Sequence, residues 1–162
     1  MVEAAVWATI ALVSVTVSFP FYLYGAWIIV ENEPVTWAVL TRHLKYIVTG
    51  LVLTTGPVVL WMAPRLLDQL TGVQAMHAVF GVQAYAFLLF ALTGIVRIFQ
   101  AKYGHDLYGD PGQEVDIDDL HENMGAWRFR LRVGVIGYVL CWLVAYVLGV
   151  AQFALNYVLP AV

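Results

Sequence analysis

VQAMHAVFGVQAYAFLLFALTGIVRI, residues 73–98, decides the fold. The run holds no acidic residue and only one basic residue, Arg97, close to its end. At 1.5 Å per residue a helix over it crosses a hydrocarbon core of about 30 Å. In lipid every backbone polar group must find its partner within the protein, so a single apolar run of this kind folds as a helix. Comparable blocks lie on both sides: Ala4 to Val30, Tyr46 to Ala63, and Val133 onward through Leu155 to about Val158. The expected fold is all-α, a four-helix transmembrane bundle forming a single domain over residues 1–162, with spans at about 4–30, 46–63, 73–98 and 133–158.

Composition agrees with this. The 162 residues are 62% hydrophobic and 12% charged, and mean hydropathy is +0.79. That concentration of apolar residues excludes an ordinary soluble domain and makes the lipid bilayer the first partner. A net charge of -3, carried largely by one acidic stretch, argues against nucleic acid. Cys141 is the only cysteine, so neither an intrachain disulfide nor a thiolate cluster forms. The first block carries Glu3 where a signal peptide has basic residues and exceeds a signal core in length, so it is expected to stay as a span. Pro20 is expected to kink it, with Trp7 and Trp27 near the two interfaces. Gly56-Pro57 should loosen the second span, with Thr54 and Thr55 returning hydrogen bonds to freed carbonyls.

The connections set the topology. Glu31 to Thr41 is polar and leads to Arg42, His43 and Lys45, while Pro64, Arg65 and Asp68 mark a short turn. Tyr103 to Asp119 is a loop rich in glycine and acid. From Asp116 the spacing of Ile117, Leu120, Met124, Trp127 and Leu131 predicts an interfacial helical lead-in to helix four. Arg42, Lys45, Arg97, Lys102, Arg128, Arg130 and Arg132 fall on one side, and Arg65 stands alone on the other. The positive-inside rule then predicts a multi-pass protein of the cell membrane with an acidic cytoplasmic loop and extracytoplasmic N and C termini.

Four histidines are the scarce chemical groups. His43, His105 and His121 fall on the basic side. His77 lies on the opposite side, about 6 Å into helix three when that helix begins at Val73. Gly81, Ala84 and Leu88 share its stripe, Gly50 lies two turns from His43, and Gly125 one turn from His121. Small neighbours let a helix or a flat macrocycle approach. A b-type haem needs two neutral imidazoles from different helices. His43 and His121 at one membrane level, with Arg42, Lys45 and Arg128 near for the propionates, form the preferred pair; the plainer reading is that interfacial histidines are ordinary. On the other side His77 has Met62 at similar depth, where a His/Met site competes with simple gap filling by the methionine. His105, Asp106, Asp110, Asp116, Asp118, Asp119, His121 and Glu122 supply cation-ligand types without a fixed spacing, and a solvated acidic surface is the plainer reading. No nucleophile triad, phosphate loop or HExxH pattern occurs.

With His43 and Lys45 opening helix two, Met76-His77 opening helix three, and His121 with Trp127 leading to the aromatic, glycine-bearing run Tyr138 to Val150, the chain resembles the CtaM-type family. That is a family of small four-helix membrane proteins that includes assembly factors of haem-A cytochrome oxidases. The resemblance covers Arg42 to Val150. It departs at Trp61-Met62, where the family carries a further histidine, and at Glu122-Asn123, where it carries basic residues. It implies a role around haem or respiratory oxidase assembly or electron transfer, with oxidase subunits or another membrane complex as partners, as an electron carrier or assembly factor rather than a stand-alone catalyst. The cofactor expected on this view is haem b, with His43, His121, His77 and Met62 as candidate ligands. The alternative is a cofactor-free accessory or interaction subunit of a membrane complex, whose histidines only tie helices together.

Overall fold

The computed structural model describes residues 2–32, 35–69, 72–109 and 117–159. Four helices dominate: α1 (Val2–Glu31), α2 (Trp37–Pro57), α3 (Gly72–Gly104) and α4 (Met124–Phe153). All four are long and apolar enough to cross a membrane. Helix α2 runs on through a π-helical turn, Val58–Met62, and a 3-10 segment, Ala63–Gln69, and α4 ends in a second π-helical turn, Ala154–Val158.

Two boundaries differ from expectation. Helix α2 begins at Trp37 because Thr36 caps it, its Oγ1 accepting from the Val39 N–H. His43 therefore lies roughly 9 Å inside the helix rather than at its head. The expected lead-in to helix four shortens to one 3-10 turn, Ile117–Leu120, and α4 then runs without a break from Met124. The periodic apolar residues from Met124 onward belong to the span itself. Residues 110–116, the middle of the acidic loop, lie outside the described residues.

Packing is concentrated in two hairpins, α1 with α2 and α3 with α4. Lipid removes the hydrophobic drive between helices, so close contact of small residues must supply the attraction. In the second hairpin Gly134 fits against Ala91, Gly94 against the Trp127 carbonyl, and Gly137 against the Phe87 ring. Ala91 is fully buried there. In the first, Gly25 meets Tyr46 and Ile47, and Gly50 lies under the Tyr22 ring. The large apolar side chains point the other way: Leu23, Val30 and Leu60 are at least 70% exposed, as a lipid-facing surface requires.

Hydroxyls and aromatic rings join the hairpins at depth. Tyr22 on α1 bonds Thr54 on α2 at 2.9 Å and Tyr138 on α4 at 3.2 Å, and Tyr85 on α3 donates to Thr55 at 3.0 Å. Trp142 packs against Phe19, Tyr22, Tyr138 and Tyr146. At the basic end α3 closes with Asp106 in the left-handed region, φ 54°. The Leu107 and Asp106 N–H groups return to the carbonyls of Lys102 and Tyr103 there. This is a Schellman ending in which an aspartate takes the place usually held by glycine.

Candidate functional site

The hairpins separate near the end of the bundle where the first turns of α1 and the last turns of α4 lie together. A cavity of about 260 Å³ opens there, with Ala4, Ala8 and Ala11 of α1 on one side and Gly149, Gln152 and Asn156 of α4 on the other. Trp61, Met62, Arg65, Gln74 and His77 complete its wall. A deeper chamber of about 150 Å³ adjoins it, lined by Val58, Ala78, Gly81, Tyr85 and Trp142. His77 and Met62 line both chambers, as do Val15, Ala145 and Tyr146.

Local sequence explains this geometry. Alanines at 4, 8 and 11 leave the α1 wall thin, and the stripe Ala145, Gly149, Gln152, Asn156 on α4 repeats the small-then-polar spacing of a face that turns inward. Gly149 admits the imidazole of His77, whose Cε1 lies 3.0 Å from where a Cβ would stand. His77 Nδ1 is 3.2 Å from Gln152 Oε1. The amide oxygen only accepts, so Nδ1 carries the proton in that contact and Nε2 keeps a free lone pair. Met62 closes the π-helical turn that follows Pro57; such turns recur at functional sites because they re-aim side chains. The Arg65 guanidinium donates to the Trp61 carbonyl at 3.3 Å and lies over the Trp61 ring at 5.6 Å. The indole Nε1 of Trp61 is buried without an acceptor among the described residues.

The other histidines have different surroundings. His43 donates from Nδ1 to the Gly25 carbonyl at 2.8 Å, a bond that ties α2 to α1 and leaves Nε2 basic. His121 does the reverse: its Nδ1 accepts from the Asn123 N–H at 3.0 Å, so a neutral ring holds its proton on Nε2. Its ring lies against Trp127, centroids 4.4 Å apart. The two rings thus have separate partners, and as it stands only His43 offers the Nε2 lone pair a metal would need. His105 is exposed and donates to the Ala101 carbonyl at 2.9 Å. Among the described residues no group of three His, Cys, Asp or Glu side chains could hold a metal ion. Asp110 and Asp116 of the acidic loop lie outside them, as does the side chain of Asp118.

Sequence reading brought His77 and Met62 forward but missed Gln152 and Asn156. The signal was available, since these are the amides in the otherwise apolar run of residues 133–158. Gln83, the amide in the middle of α3, is exposed and lines neither chamber.

No curated protein and no solved structure matches the chain. A family described as a domain of unknown function, DUF7321, matches residues 4–158, nearly the whole length, and the chain belongs to that family.

Proposed function

We propose that this protein is an accessory factor of the respiratory membrane, acting around haem or oxidase assembly or electron transfer rather than as a stand-alone catalyst. Its working site is the cavity shared by His77 and Met62. One observation carries this: an imidazole with a free Nε2 lone pair and a thioether line the same two chambers, between helices whose small facing residues leave room. Those are the ligand types of a His/Met haem site. The residues fit the axial-ligand chemistry of haem better here than at His43 and His121, where one ring presents a protonated Nε2. When bound, such a group supplies reversible one-electron chemistry; the chain supplies its ligands and a largely apolar pocket.

The excess of basic residues at the opposite end supports placing this cavity, with both termini, on the extracytoplasmic side. Cysteine labelling in a Cys141→Ser background tests the placement. Impermeant reagent should reach a cysteine near the N-terminus in intact cells, and reaction of one in the Tyr103 to Asp119 loop would reverse it. For the cofactor, protein purified from haem-replete cells should show a Soret band that His77→Ala abolishes.

A second reading has its own observation. His43 with Gly25 and His77 with Gln152 each tie two helices, which is all that a cofactor-free accessory subunit of a membrane complex needs from its histidines. A colourless protein whose spectrum of added haemin is unchanged would favour it.

A further inference from the structure

The two chambers differ in chemistry. The one near the bundle end carries Arg65, Gln74, Gln152 and Asn156, while the deeper one is walled by Val58, Leu66, Ala78, Val82 and Trp142. Among the described residues neither wall contains a carboxylate. Arg65 is the only basic residue between Tyr46 and Val96, so it is a cation in a span-rich region that otherwise has none. Its own hydrogen bond goes to the Trp61 carbonyl, and the side chain of Asp68, three residues on, lies outside the described residues. Arg65 is exposed at the end of the bundle and also lines the cavity, so its guanidinium stands where an anionic head entering from the interface would meet it. In the same wall Trp61 Nε1 is buried and, among the described residues, has no acceptor. This wall offers a guanidinium and an indole N–H, and the deeper chamber offers mainly apolar surface.

The geometry points to an anionic amphiphile as the ligand: a carboxylate or phosphate head at Arg65, and an apolar body passing His77 into the deeper chamber. This rests on the cavity being the working site, but not on the ligand being haem. Propionates, a fatty acid and a phospholipid head all carry the required chemistry. Arg65 binds the head as a fork of N–H donors, with the Trp61 indole in the same wall. Gly81 sets the depth of the site. It lines the deeper chamber and a Cβ there meets nothing within 4 Å, so a larger side chain takes up chamber space.

The test uses the purified full chain in neutral detergent, titrated with a pyrene-labelled long-chain carboxylic acid, its methyl ester, a pyrene-labelled phosphatidylglycerol, and haemin with its dimethyl ester. The acid should bind about tenfold more tightly than the ester, as one charge-assisted pair is lost. That ratio should fall to about one in Arg65→Gln, and Gly81→Leu should abolish binding of both while the protein stays folded by circular dichroism. Comparison of the carboxylic acid with the phosphatidylglycerol identifies which anionic head is preferred, and preference for either over the ester supports the inference. Equal binding of acid and ester by the parent, or a ratio that survives in Arg65→Gln, overturns it. If haemin gives no spectral change while the acid binds with the expected ratio, the haem reading fails and the amphiphile site stands. If haemin binds through His77 but its free and esterified forms bind alike, the amphiphile site fails and the haem reading stands.

Discussion

Ser14 on α1 donates from its Oγ to the carbonyl of Leu53 on α2 at 2.7 Å. Leu53 lies four residues before Pro57, and proline has no N–H, so this is the carbonyl that the helix itself leaves open. A neighbouring helix thus repairs the break, as apolar surroundings require. Thr54, the expected repair, instead bonds back to the Gly50 and Leu51 carbonyls, and Thr55 receives Tyr85.

Ser14→Ala should therefore cost about 1 kcal/mol, the scale of an interhelical hydrogen bond in a membrane. Pro57→Ala restores an N–H to Leu53, so in that background Ser14→Ala should be nearly neutral. Thermal melts of the four proteins close the cycle, and additive effects would show that the Ser14 bond has nothing to do with Pro57.

The α3–α4 seam gives a sharper contrast. A Cβ on Gly134 would lie 2.6 Å from both the Cβ and the backbone nitrogen of Ala91, whereas one on Gly125 meets nothing within 4 Å. Backbone is the obstacle, so relief requires the helices to part. Gly134→Ala should destabilise by about 1–3 kcal/mol, as overpacking does, while Gly125→Ala should be neutral or slightly stabilising through helix propensity. Equal melting temperatures for the two variants would mean that the seam is looser than its geometry.

These two features mark where sequence was informative. Four spans were legible because each repeats one simple demand, an apolar run long enough to bury its backbone in a helix. Helix boundaries were not. Thr36 caps α2 before an aromatic and basic stretch that reads as a connection, and Asp106 ends α3 although Gly104 stands two residues earlier. At the cavity, His77 was legible as an ionisable group in an apolar run, but its partner Gln152 was not. The register of α3 against α4 decides that pairing, and glycines at 134, 137 and 149 fix the register only once the helices are packed. His43 and His121 looked equivalent by level, and tautomer separates them, which depends on backbone atoms that sequence does not place.

The connection at the basic end has a pH signature. Trp37 donates its N–H to the Tyr108 carbonyl at 3.2 Å, and its ring and that of Phe99 pack against the Tyr108 ring. Burial pushes the Tyr108 phenol above its ordinary value. The folded protein therefore keeps this proton at a pH where the unfolded chain has lost it. Stability from this source is complete below about pH 10, the unfolded value, and declines as pH rises toward the folded one. Tyr108→Phe removes the titrating group and retains the ring, so the melting temperature of the variant should fall less steeply between pH 10 and 12 than that of the parent. Parallel curves would show that the phenol is already solvated.

His77 and His105 make the same kind of bond in opposite surroundings. His105 is exposed at the end of α3, and when its ring is removed water donates to the Ala101 carbonyl in its place at no cost. His77 is half-buried between α3 and α4, where its ring fills the space over Gly149 and its Nδ1 satisfies the Gln152 amide. Removing it opens a gap and leaves a carbonyl oxygen inside the span without a donor, a loss of about 1–3 kcal/mol. His77→Ala should lower the melting temperature in detergent while His105→Ala leaves it near the parent. Gln152→Leu separates the contributions. It removes the oxygen, so in that background His77→Ala should cost only the packing share, and the difference between the two costs reports the hydrogen bond. An equal cost for His77→Ala in both backgrounds would assign the whole effect to packing and leave the Gln152 contact without energetic weight.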